Sequence, residues 1–173
     1  APPIRFAPPG TEVQRLRTDF ALTDAERLAL TPEGVRSLTQ DQVAQVYARR
    51  SAGPIPDGPF RGDLFFPRDR DGRAQVRDLS VAPPSVLGPA APLTAEQLGR
   101  MLWRGKVFFR DQSIVRNRIE DLLILRPIVD DVKTIPKLTF DGQTTWLLFP
   151  ARLSCSDSRF DKTRKSIVVD YAE

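Results

Sequence analysis

The chain has 173 residues, 40% of them hydrophobic, with 26 basic and 22 acidic side chains and a net charge of +4. That is room for one domain, or one domain with an arm, and apolar enough to build a core rather than stay disordered. The charge is mixed along the chain with no basic stripe, which speaks against nucleic-acid binding, and no histidine is present, which removes Ser-His-Asp and Cys-His nucleophiles, histidine metal sites and histidine-ligated haem.

The single cysteine, Cys155, excludes an intrachain disulfide and a cysteine-rich metal site. Neither a metal nor a cofactor is therefore expected. Cys155 sits in a strand-like stretch with no histidine nearby and is expected as a small buried residue. No run approaches the ~20 apolar residues that span a bilayer. The opening "APPIRFAPPG" lacks an initiator methionine. It reads as what remains after signal-peptide cleavage, and predicts an exported protein, periplasmic or secreted.

Residues 1–20 read as an extended, Pro-rich arm with few apolar anchors. Residues 21–53 carry three short helix starts: Thr23 with Glu26 three residues on, Thr31 followed by Pro32, and Thr39 with Gln42. From residue 54 the apolar period changes from helical to two. "PFRGDLFF" leads through a turn to "RAQVRDLS". Thr94 and Gln97 open a brief helix, and "WRGKVFF" and "SIVRNRI" flank the turn "RDQ". "DLLILRPIVDDV" is apolar enough for a buried strand. "KLTF" and "QTTWLLF" flank Asp141-Gly142, which suits a type I′ turn. "PARLSCS" and "KSIVVDYAE" close the series. About eight strands in sequential hairpins predict a mainly β protein: an antiparallel β-barrel or strongly curved sheet over 54–173, preceded by the short helices.

Two stretches nearly repeat, "FRGDLFF" from Phe60 and "WRGKVFF" from Trp103. Strand alternation puts Phe60, Gly62, Leu64 and Phe66 on one face of the first, and Trp103, Gly105, Val107 and Phe109 on one face of the second. A glycine in mid-strand marks a bend, a bulge or close packing. Arg61-Gly62-Asp63 spells an integrin-binding string, but it falls at the start of a strand and not on a bent loop. "GPFRG" (Gly58, Phe60, Gly62) resembles the G-x-W-x-G signature of a group of lipocalin-like domains, with Phe in place of Trp. "WRGKVF" (Trp103, Gly105, Lys106, Phe108) resembles the W-x-G-K-x-F element that follows it there, and "SIVVDY" is similar to the final strand. The resemblance covers three short elements. It implies a small barrel with an apolar interior and no known chemistry.

The barrel interior is expected to be lined by Phe60, Leu64, Phe66, Trp103, Val107, Phe109, Trp146 and Leu148, leaving a filled core or space for one small ligand. Asn117, placed inward, needs hydrogen-bond partners, from a ligand's polar group or from a neighbouring strand. Arg116 and Arg118 share the other face; solvent is their default, whereas inward they would suit a carboxylate or phosphate. The acidic pairs Glu120-Asp121 and Asp130-Asp131 point to opposite faces and form no dyad. The expected function is binding of a small hydrophobic molecule, a lipid, isoprenoid or aromatic. The alternatives are a histidine-free cyclase or isomerase using Asp170, Tyr171, Asn117 or Arg116, and an interaction domain with no ligand.

Overall fold

The structure, a computed structural model, describes residues 4–65, 95–120, 132–159 and 161–171. It divides into two compact units. Among the described residues, one unit is built from 4–54 with 155–167, and the other from 55–65, 95–154 and 168–171.

The first unit holds four short helices: α1 (Val13–Thr18), α2 (Asp24–Leu28), α3 (Pro32–Arg36) and α4 (Gln40–Ala48). Three start where local chemistry dictates. The Thr23 hydroxyl accepts the Glu26 N–H while the Glu26 carboxylate accepts the Thr23 N–H, and Thr39 and Gln42 repeat the exchange on α4. Thr31 caps α3, with Pro32 at its first position.

The expected arm is a correction: residues 13–18 are helical, and Ala7 and Leu16 are buried against Ala48. Apolar anchors this sparse show no period. Contacts remote in sequence order the segment instead. The Gln45 side-chain amide accepts the Ala7 N–H and donates to the Ala7 carbonyl, each at 3.0 Å. The Arg49 guanidinium donates to the carbonyls of Arg5, Phe20 and Gln45. Side-chain bonds to backbone thus tie the segment before α1 to α4.

Glu26 is the centre of that network, 2% exposed and accepting hydrogen bonds from Arg5 and Thr23. Chiefly through the Arg5 side chain, its carboxyl is held well below the usual carboxylate range. A depressed acid stabilises the fold above its unfolded value, near 4.3, and that contribution is lost as pH falls below it. Urea unfolding midpoints should therefore drop from pH 5 to pH 3. In Glu26→Gln they should start lower and fall less steeply. Parallel slopes in the two proteins would rule out this role.

The second unit is antiparallel sheet with one described α-helix, α5 (Ala95–Leu102). Its strands are β1 (Gly58–Arg61), β2 (Trp103–Phe109), β3 (Ile114–Ile119), β4 (Lys137–Phe140), β5 (Gln143–Asp157) and β6 (Lys165–Asp170). The order is β1-β2-β3-β5-β4, with β6 also paired to β5; β5 and β6 contribute residues to both units. The β4–β5 turn has positive φ at both Asp141 and Gly142, as a type I′ turn requires. Six strands are described, and no backbone pairing closes β1 onto β4 among the described residues. "QTTWLLF" and "PARLSCS", read as two strands, are one. "RAQVRDLS", residues 121–131 of "DLLILRPIVDDV" and the cap at Thr94 lie outside the described residues.

The near-repeat pairs with itself. β1 lies antiparallel to β2, with Phe60 opposite Lys106 and Arg61 opposite Gly105. The two glycines meet at the crossing. A Cβ on Gly105 (φ +123°) would lie 2.2 Å from the Phe60 carbonyl oxygen, and one on Gly62 would lie 2.3 Å from the Trp103 ring. The Gly62 N–H donates to the Arg104 carbonyl at 3.1 Å. The glycines thus serve close backbone approach, and the Arg-Gly-Asp string is packed against strand β2.

This sheet is strongly curled. Four inter-strand steps separate β1 from β4, about 19 Å if the sheet were flat. Yet Arg61 Nε is 2.5 Å from Asp141 Oδ2 in the β4–β5 turn. The Arg118 side chain on β3 reaches both edges, donating to the Phe60 carbonyl and lying 4.8 Å from the Phe140 ring centre. The concave face carries Val107, Arg118, Thr145 and Leu147, all buried. Solvent, the ordinary expectation for Arg118, is thus a correction: its side chain is 1% exposed, because the curl brings both edges over it.

Candidate functional site

Two bulges shape the opposite, convex face. One shifts the β2–β3 register between Trp103 and Gly105. It breaks the alternation that would have placed Trp103 with Val107, and turns Trp103 to the Lys106 side. The other lies between β3 and β5: Val115 pairs with Ala151 and Asn117 with Leu148, so Phe149 and Pro150 together oppose Arg116. Phe149 takes a positive φ of 50°, and Pro150, lacking an N–H, donates nothing to the ladder there.

Asn117 joins these features. It is 8% exposed, and Nδ2 donates to the bulged Phe149 carbonyl at 3.2 Å. Oδ1 accepts from Trp103 Nε1 at 3.0 Å and from Lys106 Nζ at 2.7 Å. The Tyr171 hydroxyl, just past β6, lies 2.5 Å from Lys106 Nζ and 3.1 Å from Asn117 Nδ2. Lys106 also sits 5.8 Å from the Trp103 ring centre and 5.2 Å from that of Tyr171, within cation–π range. No carboxylate lies within ion-pair distance of Lys106 among the described residues. Its charge is met by two rings and two neutral oxygens.

Beside this node runs an open groove of about 430 Å³, lined by Ile114, Phe149, Pro150, Ala151, Arg152, Asp170 and Tyr171. Phe149 and Tyr171 belong to both groove and node, and they are 43% and 48% exposed. The volume falls within the ordinary range for small-ligand sites. The apolar wall of Ile114, Phe149, Pro150 and Ala151, with Arg152 and Asp170 at its polar positions and Lys106 in the node beside it, can hold a molecule that is mostly apolar and ends in a hydrogen-bond acceptor.

The residues expected to line one interior are divided between two faces. Phe60, Trp103, Asn117, Trp146 and Leu148 share the convex face, as the registers require; the Phe60 and Phe108 rings meet edge to face at 5.5 Å. Val107 is on the concave face, and Phe109 pairs with Ile114 at the end of the β2–β3 hairpin. Leu64 lies beyond β1, so close to Gly99 that a Cβ there would be 2.3 Å from its Cδ2. Phe66 lies outside the described residues. Asn117 does brace a neighbouring strand, and Tyr171 joins it as a proton-handling candidate, whereas Arg116 lies on the opposite face. The groove residues Ile114, Phe149, Pro150, Ala151 and Arg152, and Lys106 in the node beside it, escape sequence reasoning; only Pro150, inside an apolar strand pattern, signals a bulge. Cys155 is a further correction, since it is exposed: past Leu153 both faces of β5 open to solvent.

No helix among the described residues is long and apolar enough to cross a membrane. No group of three or more acidic or cysteine side chains among them is placed to hold a metal ion. No protein-family model, curated protein or solved structure matches this chain.

Proposed function

We propose that the protein binds a small, mainly apolar molecule in the groove between Ile114, Phe149–Ala151 and Tyr171, with the acceptor end of the ligand, a carboxylate or carbonyl, toward Lys106. The observation that carries this reading is the junction itself. An exposed apolar wall meets a lysine that has no carboxylate partner among the described residues, and both are fixed by Asn117. It is the function expected from the sequence, moved from inside the curl to its outer face. An exported carrier is the class of protein it fits, with the ligand outside the curl and not in the interior that a lipocalin-like barrel would offer. On the concave side, which Arg118 and Leu147 occupy, the pocket measures about 160 Å³, against about 430 Å³ for the outer groove.

Native mass spectrometry of the purified protein, followed by organic extraction, tests occupancy. A melting-temperature series with decanoate and decanol tests chemistry. Decanoate should stabilise the protein more than decanol, and Lys106→Met should weaken decanoate about tenfold, the range of one charge-assisted hydrogen bond. Neither compound shifting the melting temperature, with nothing co-purifying, would refute the reading.

A second reading, a cyclase or isomerase, draws on the Tyr171 hydroxyl held between Lys106 and Asn117, where a proton could be given or taken. It requires Tyr171→Phe to abolish conversion while leaving binding intact. A carrier returns its ligand unchanged on extraction.

A further inference from the structure

The concave side of the sheet holds a second site of different chemistry. A pocket of about 160 Å³ is lined by Arg61, Gly62, Arg104, Arg118, Phe140, Asp141 and Gln143. Three guanidinium groups and one carboxylate line it. That carboxylate, Asp141, is already taken by Arg61, and Arg104 pairs with Glu120 at the side. Arg118 at the floor hydrogen-bonds to neutral partners alone, and Asp141, near enough to favour its charge, makes its ion pair with Arg61 instead. Its Nε donates to Thr145 Oγ1 at 3.3 Å, and its Nη1 lies near the carbonyls of Phe60 and Arg104 at 3.2 and 3.5 Å. Its Nη2 has no hydrogen-bond partner among the described residues. The Phe140 ring fixes the guanidinium plane at 4.8 Å.

A buried cation with no ion-pair partner of its own is costly, and a guanidinium fork has the geometry to take two oxygens of one anion. Burial also pulls the Arg118 pKa below its ordinary value, though not enough to discharge an arginine. At about 30 Å³ per water, the pocket has the space of about five waters. That suits one tetrahedral or planar oxyanion and is too small to enclose a whole nucleotide.

We propose that this pocket binds a small oxyanion, with Arg118 at its floor and Arg61 and Arg104 at its rim. The shared chemistry is a phosphate, sulfate or carboxylate group, either free or as the end of a larger molecule whose remainder lies outside. The site is separate from the Lys106 groove and does not depend on it.

The test is a melting-temperature titration with phosphate, sulfate and acetate in Tris buffer, against sodium chloride of matched ionic strength. A hundredfold excess over Kd should raise the melting temperature by about 5–10 °C, with no such rise in chloride. Arg118→Met, which swaps the cation for an apolar chain of similar length, should abolish the rise. Should that variant fail to fold, Arg61→Met, at an exposed side chain, provides the second arm and should weaken the apparent Kd severalfold. Phenyl phosphate binding as well as phosphate would mark the pocket as an anchor for a larger ligand. Phosphate binding alone would mark a free-anion site, and both results support the proposal. An equal rise in chloride, or a rise unchanged in Arg118→Met or Arg61→Met, would overturn it.

Discussion

Gly105→Ala should be among the most destabilising substitutions in this chain, costing about 3 kcal/mol or more. Two penalties act together. The φ of +123° is one that side-chain-bearing residues rarely adopt, and the added methyl would stand 2.2 Å from the Phe60 oxygen and 2.6 Å from the Gly62 nitrogen. Both obstacles are backbone, so no rotamer change relieves them. The β1–β2 pairing has to open, and with it the bond from the Gly62 N–H to the Arg104 carbonyl. Gly58→Ala is the matched control. Its φ of +85° is also unfavourable, but nothing lies within 4 Å of the added carbon, so it should cost only about 1–2 kcal/mol. Urea unfolding of both variants measures the difference, and equal costs would show that the crossing of the two glycines is not tight.

The second large effect belongs to Asn117. Asn117→Ala should cost about 2–4 kcal/mol, since it leaves Trp103 Nε1, Lys106 Nζ and the Phe149 carbonyl without their shared partner. Asn117→Leu separates hydrogen bonding from bulk. It restores the volume but orphans the same three groups, so it should be nearly as destabilising as alanine. Asn117→Asp keeps the acceptor for Trp103 and Lys106 and loses the donor to the Phe149 carbonyl and the Tyr171 hydroxyl, so it should fall between wild type and alanine. If leucine instead recovered most of the stability, Asn117 would be a packing residue with incidental bonds.

These two residues also mark where reading the sequence succeeds and where it stops. The helix starts at Thr23, Thr31 and Thr39 and the turn at Asp141-Gly142 are legible, because each is settled by chemistry within about four residues. The mid-strand glycines correctly signal a bulge and close packing. That the two near-repeats cross each other is a tertiary fact that no local pattern carries. Face assignment fails at Trp103 for a definite reason: strand alternation survives only until the first bulge, and one lies between Trp103 and Gly105. Arg118 is misjudged because its burial depends on which strands the curl brings over it. The groove is illegible because it collects residues from 114, 149–152 and 170–171, three stretches brought together by strand order alone. Asn117 and Tyr171 were recognisable as candidate polar groups; their meeting at 3.1 Å was not.

The most direct test uses Trp103, whose indole shares the Asn117 oxygen with Lys106. In Trp146→Phe it is the sole tryptophan. That change should be mild, because the buried Trp146 Nε1 has no hydrogen-bond partner among the described residues. Titrating this variant with decanoate should give a saturable change in Trp103 emission, reduced with decanol and lost when Lys106→Met is added. A flat titration, or one indifferent to Lys106, would contradict the assignment of the groove as the ligand site.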